Sequence, residues 1–277
     1  MYNTDMLKKI IIIFTILLVS IVTYFYFQQE SYYINDNVET EERKENYEKA
    51  KEEILEFEKE PAHKQAEFFE GVVNIDNQPM YYAYPLKIVK NNPPKLIVYS
   101  HGQLQRIVKD LDDNYMLKMR EYGNFFASRG YAFSASNQHD DNWGQSESLN
   151  DIKKSIMWFE ENNYPLTEKK SMVGFSMGGK TAVNYAIDNP NEIAKIALLA
   201  PTPKTELTKF DVEKLRDIPI KIWHGTEDVN IPFSTTEQYV QRFKNYDKKV
   251  NVKPVENAGH FDIETTLMEY LLEFFEE

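Results

Sequence analysis

The chain of 277 residues contains no cysteine. That excludes disulfides, thiolate metal sites and a lipid-modified N-terminal cysteine. It also lacks an excess of positive charge: 44 acidic against 32 basic side chains leave a formal net charge of −12. Nucleic acid is therefore not an expected partner, because binding phosphates needs a basic face. Internal repeats are absent, and the one biased segment is acidic. Small residues are missing from the start of the chain, where the first alanine is Ala50 and the first glycine is Gly71.

Residues 10–27 form an uncharged run of 18 residues, roughly the minimum that spans a bilayer as a helix. Lys8 and Lys9 precede the run and acids follow it, which favours a cytoplasmic N-terminus and the rest of the chain outside. A cleaved signal peptide, leaving a secreted protein, is the alternative. It normally ends in a small-x-small site, whereas Tyr24, Phe25, Tyr26 and Phe27 stand where those small residues are needed. Residues 1–29 are thus expected to be a cytoplasmic stub and a signal-anchor helix, with the lipid bilayer as partner. Residues 30–60 carry 12 acids and five bases without glycine or proline, and Tyr47, Ala50, Ile54 and Phe57 recur at helical spacing. Residues 30–61 read as an acidic helical stalk, or as a helix docked through that apolar stripe.

Residues 62–277 read as one α/β domain. Alternating segments at 68–75 and 80–88 flank a turn at 76–79 and predict a hairpin. Strands are expected at 95–100, 131–136, 171–175, 193–200, 218–223 and 250–254. Helices are expected at 112–128, 150–162, 177–188, 235–245 and 263–275. Apolar strands alternating with helices imply a mostly parallel sheet covered on both faces.

In such sheets the site lies beyond the carboxyl ends of the strands, and four strand ends carry suggestive residues. Met172-Val173-Gly174-Phe175-Ser176-Met177-Gly178-Gly179 is a G-x-S-x-G run between a strand and a helix. That pattern puts a serine on a turn so tight that its neighbours two residues away must be small. An unactivated serine is a poor nucleophile and needs a base and an orienting acid. Asp228, in Trp223-His224-Gly225-Thr226-Glu227-Asp228, is the candidate acid, with Glu227 its competitor and His224 a structural turn residue. His260, after the last strand, is the candidate base. Ser100-His101-Gly102-Gln103 ends another strand, and the backbone N–H groups of Gln103 and Met177 are candidate donors to an oxyanion. His101 reads as structural, Asp262 as a loop or cap residue, and His139-Asp140-Asp141 as a polar loop.

These motifs together resemble the α/β-hydrolase superfamily over about residues 68–277. Its order of nucleophile, acid and histidine is met by Ser176, Asp228 and His260. The resemblance implies an α/β-hydrolase fold and a serine hydrolase that cleaves carboxylic esters through an acyl-enzyme, with a small-molecule ester or acyl substrate and with no metal and no cofactor. Trp143-Gly144-Gln145-Ser146 is similar to the superfamily's H-G-x-S loop, with Trp143 in place of histidine. Trp143 and Phe175 are candidate substrate contacts, although Phe175 and Met177 equally suit packing beneath the elbow. Fewer than twenty residues separate Pro201 from Pro219, room for one short helix and not for a large cap domain. Thioesterase, aminopeptidase-like activity and a non-catalytic surface-tethered binding module are the competing readings.

Overall fold

The computed structural model describes residues 68–86 and 93–277, all within one compact unit, Lys64–Glu277. The expected anchor at 10–27 and the acidic segment at 30–61 lie outside the described residues. Among the described residues no helix is long and apolar enough to cross a membrane.

The first hairpin pairs β1 (Phe68–Ile75) with β2 (Gln78–Pro85). Its turn is Asp76-Asn77 alone, not the four residues expected at 76–79. Both residues have positive φ, 48° and 66°. Such a two-residue turn matches the twist of the strands, so pairing runs on through Ile75–Gln78 and Asn74–Pro79.

Strand and helix then alternate: β3 (Leu96–Ser100), α1 (Asn114–Ala127), β4 (Ala132–Ser136), α2 (Ser146–Glu161), β5 (Lys170–Phe175), α3 (Met177–Asp188) and β6 (Ile193–Leu199). After these come α4 (Lys209–Lys214), β7 (Ile220–Gly225), α5 (Phe233–Lys244), β8 (Asn251–Val255), α6 (Ile263–Thr266) and α7 (Met268–Glu276). The eight strands lie in the order β1-β2-β4-β3-β5-β6-β7-β8. The two contacts of β2 are antiparallel and every other pairing is parallel.

Strand side chains alternate between the two faces, and here both faces are buried. On β3, Leu96 and Val98 join Ile152, Phe159, Val183 and Phe243 of α2, α3 and α5. Ile97 and Tyr99 join Tyr122 and Phe126 of α1 and Phe274 of α7 on the other side. This is why β3 reads Leu-Ile-Val-Tyr-Ser, all buried, with no polar alternation.

Two expected boundaries move for identifiable reasons, and one expected helix is divided. β7 starts at Ile220 rather than 218, because Pro219 has no N–H to give a ladder. α2 starts at Ser146 rather than 150, because Asn142 Oδ1 accepts from the N–H groups of Gln145 and Ser148 and so satisfies donors at the helix start. The expected helix 263–275 is two helices, broken at Leu267 (φ −107°, ψ 8°).

Phe133 of β4 anchors one face, stacked on Tyr122 at 5.8 Å and 12° and on Phe126 at 6.3 Å and 7°. Phe133→Ala is expected to cost about 3–5 kcal/mol, since a buried ring leaves a cavity that packing fills only partly. Leu117→Ala, on the exposed side of α1, should change stability by less than about 0.5 kcal/mol. Urea unfolding measures both, and equal losses would contradict this assignment of the core.

Candidate active site

Between the last residue of β5 and the first of α3 stands a single residue, Ser176, with φ 50° and ψ −119°. That conformation is sparsely populated for a side-chain-bearing residue and persists only where its surroundings impose it. Here they do. A Cβ on Gly174 would lie 2.5 Å from the Gly178 carbonyl oxygen, and one on Gly178 would lie 1.9 Å from that of Ser100. The serine backbone is also bonded on both sides. Its N–H donates to Leu199 (2.9 Å), and its carbonyl accepts from Gly179 (2.9 Å) and Thr202 (2.8 Å). Ser176 stays partly exposed while Phe175 and Met177 are buried. Met177 opens α3, so its N–H has no partner within the helix and sits at the positive end of the helix dipole.

His260 follows β8, and its Nδ1 donates to Asp228 Oδ2 at 2.7 Å, both residues being 6% exposed. Asp228 is saturated with donors. Oδ1 accepts from the N–H groups of Asn230 (2.9 Å) and Ile231 (2.7 Å), and Oδ2 lies 3.1 Å from His224 Nε2. Burial alone would raise the Asp228 pKa, but the hydrogen bonds from His224, His260 and Ile231 outweigh it and hold the carboxyl well below the usual range. His224 is fully buried, with Nδ1 on Thr236 Oγ1 and Nε2 on the Ile231 carbonyl, both at 2.7 Å. It is locked in place as a turn residue. Glu227, the competing acid, is exposed.

The imidazole of His260 packs on Phe175, the residue before Ser176, with ring centroids 5.0 Å apart. Among the hydrogen bonds of the described residues, none joins Ser176 Oγ to that ring. Catalytic contacts are commonly loose without substrate and tighten in its complex.

After β3, His101 is fully buried between two carbonyls, Nδ1 facing Gly102 O at 2.8 Å and Nε2 facing Asn137 O at 2.9 Å. Burial pushes its pKa down, against these carbonyls, which favour the protonated ring. Gln103 is exposed at the tip of the loop. The loop after β4 carries Trp143, half-buried with φ 58°. His139-Asp140-Asp141 is more than a polar loop. His139 Nδ1 bonds Asp151 Oδ2 at 2.7 Å, while Asp140 and Asp141 both pair with Arg106 at 2.9 Å. Burial raises the Asp151 pKa despite that contact. Among the described residues no cluster of three or more histidine and acidic side chains converges as a metal site. Gln105 and Glu264, which belong to no sequence motif, meet beside the β3 loop. The available signal was an acid at an inward position of an otherwise apolar helical run, Ile263-Glu264 with Leu267 and Leu271.

Among curated proteins no sequence matches this chain. Solved structures do. A candidate dienelactone hydrolase from Klebsiella pneumoniae is 16% identical with a TM-score of 0.60, over 76% of this chain and 99% of that one. Est1E from Butyrivibrio proteoclasticus is 14% identical with a TM-score of 0.54, over 75% and 99%. The acylaminoacyl peptidase of Pyrococcus horikoshii is 15% identical with a TM-score of 0.56, over 76% of this chain but 41% of its own. Such likenesses establish the fold, an α/β-hydrolase sheet with helices on both faces. The sequence profile of the dienelactone hydrolase family matches residues 120–266, a stretch that includes the elbow, Asp228 and His260. On that match the chain belongs to the dienelactone hydrolase family.

Proposed function

We propose that this hydrolase cleaves carboxylic esters through an acyl-enzyme on Ser176. His260 takes the Ser176 proton at Nε2 as Oγ attacks the ester carbonyl carbon. The resulting oxyanion is received by the N–H groups of Met177 and Gln103. Collapse breaks the ester bond, and His260 returns the proton to the leaving alcohol. Water, deprotonated by His260, then attacks the acyl group; the acid leaves and Ser176 regains its proton. Asp228 fixes the imidazole with Nδ1–H toward itself and stabilises its cationic form. The observation that carries this reading is the buried 2.7 Å contact between His260 and Asp228, held against the residue next to a serine in elbow conformation.

The substrate is a small ester with an apolar part. Leu104, Val229 and Phe261 immediately follow Gln103, Asp228 and His260, and they are 56%, 88% and 38% exposed. Of these, Phe261 lies against both His260 and Phe175, with ring centroids 5.1 Å and 6.1 Å apart, and it and Trp143 are candidate apolar walls. Between β6 and β7 only the short α4 intervenes, so no cap domain is inserted there. The chain covers 99% of the dienelactone hydrolase neighbour but 41% of the peptidase, and the family profile it matches is named for the hydrolysis of a lactone, a cyclic ester, which favours ester over peptide. The location proposed is outside the cytoplasm on a membrane anchor, and it rests on the uncharged run 10–27 with Lys8 and Lys9 before it and acids after it.

A fluorophosphonate should label the wild type and fail to label Ser176→Ala. Ser176→Ala and His260→Ala should each lower kcat on p-nitrophenyl esters by roughly 10⁴-fold or more, and Asp228→Ala by less. Glu227→Ala should stay near wild type, and turnover of aminoacyl-nitroanilides alone would replace the ester reading with a peptidase.

Asp228 also predicts an acid dependence of stability. Its folded pKa lies below the ordinary 3.8, so its stabilisation is complete above that value and is lost as pH falls through the lower folded one. The difference in stability between wild type and Asp228→Asn should shrink as pH falls below about 4. A difference that grows on acidification would contradict the ionised assignment. For the anchor, N-terminal sequencing of membrane-extracted protein should find the chain intact, and a start near residue 30 would mean cleavage.

A further inference from the structure

We propose that Glu264, acting through Gln105, is a positioning residue for the oxyanion loop. The proposal rests on the serine-hydrolase reading above and adds what holds one of its two oxyanion donors in place.

Glu264 is fully buried in α6, four residues after His260. Every side-chain contact points a donor at its carboxylate. Oε1 accepts from Tyr99 Oη (2.9 Å) and Gln105 Nε2 (2.9 Å), and Oε2 accepts from the same Gln105 Nε2 (3.0 Å) and from Lys118 Nζ (3.2 Å). Its backbone carbonyl accepts from Tyr122 Oη. A buried carboxylate left unpaired would be strongly destabilising, so this set of donors holds the charge where it is.

The other end of the Gln105 amide faces the loop. Gln105 Oε1 accepts from the Gly102 N–H at 2.6 Å. The amide has one workable orientation. Flipped, it would set its oxygen against the Glu264 carboxylate and its NH₂ against the Gly102 N–H. The carboxylate therefore fixes which way Gln105 points, and by polarising the amide it strengthens the oxygen as an acceptor.

Gly102 is consequently held at both ends. Its N–H is on Gln105, and its carbonyl faces His101 Nδ1 at 2.8 Å. The Gly102 carbonyl and the Gln103 N–H belong to one planar, trans peptide unit and point in opposite directions. Fixing Gly102 therefore aims the Gln103 N–H. A donor aimed before the reaction needs no reorganisation when charge develops, and that is where such groups are effective.

The test is a double-mutant cycle with Gln105→Ala, Glu264→Ala and Glu264→Gln. The readouts are kcat and KM on p-nitrophenyl butyrate, the affinity of an aryl trifluoromethyl ketone that forms an oxyanion adduct, and thermal melting. Gln105 lies in a loop and is half-buried, so its alanine variant keeps the experiment informative even where Glu264→Ala unfolds. Gln105→Ala should lower kcat by about ten-fold or more with KM within two-fold, and weaken the ketone in parallel, a fraction of the loss expected for a missing donor. Glu264→Gln, which keeps an acceptor for Gln105, should recover most of the kcat that Glu264→Ala loses. In the Gln105→Ala background, Glu264→Ala should lower kcat no further while still lowering the melting temperature. Wild-type kcat and ketone affinity in a folded, fluorophosphonate-labelled Gln105→Ala would overturn the inference and leave the serine-hydrolase reading standing. A wild type that is neither labelled nor active on esters would remove both.

Discussion

Helix α3 approaches the ends of β3 and β5 so closely that nothing larger than hydrogen fits between them. Gly178 rests on the carbonyls of Ser100 and His101, and Gly179 rests on Pro201. This contact forces Ser176 to φ 50° at a cost of order 1–3 kcal/mol, and the rest of the site is arranged around it. The approach also explains where in the sheet the site lies. β3 sits between β4 and β5. The chain leaves β3 through α1, on one face, to reach β4, and it leaves β5 through α3, on the other face, to reach β6. Where consecutive connections diverge to opposite faces a crevice opens at the strand ends. Gln103 and Met177 stand on its two sides.

Two carboxylates are buried next to that crevice, and each is held by a full set of donors. Asp228 takes two backbone N–H groups and two imidazoles. Glu264 takes a phenol, an amide and an ammonium. Neither acid is a stability device by default, since buried charge tolerates no missing partner and is often replaceable by apolar packing. What each provides is direction. Asp228 selects the tautomer and facing of His260, and Glu264 selects the facing of Gln105. The overall charge of −12 plays no part in this, because both groups act over hydrogen-bond distances inside the fold.

Much of this was legible in the sequence, and the limits were physical. The elbow could be read because its requirement is local: Gly174, Gly178 and Gly179 lie within three residues of Ser176. α3 was placed to the residue for the same reason. Asp228 and His260 could be read because each follows a strand in a recognisable turn. Gln105 and Glu264 were not, since their meaning is a contact across 159 residues and neither belongs to a motif. The hairpin turn was placed too long because Gln78 and Pro79 look like turn residues, whereas the pairing continues through both. The split of the last helix at Leu267 has no marker in the sequence, where no glycine or proline interrupts 263–275.

The loop after β4 adds a last constraint on what can bind. Gln138, His139, Asp140, Trp143 and Gly144 all have positive φ, five of seven consecutive positions, four of them carrying side chains for which that region is costly. Such strain survives only where other contacts over-determine it, and here they do. Asn137 Nδ2 bonds Asp140, and Asn137 Oδ1 accepts from the Ile107 N–H. Asp141 accepts from the Leu104 N–H at 2.8 Å, Arg106 pairs with both Asp140 and Asp141, and His139 is tied to Asp151. The loops after β3 and β4 therefore clamp each other through polar contacts and carry Gln103 and Trp143 on one connected frame. In the ester-hydrolase reading proposed above, the candidate substrate contact Trp143 and the candidate oxyanion donor Gln103 would therefore share one polar framework.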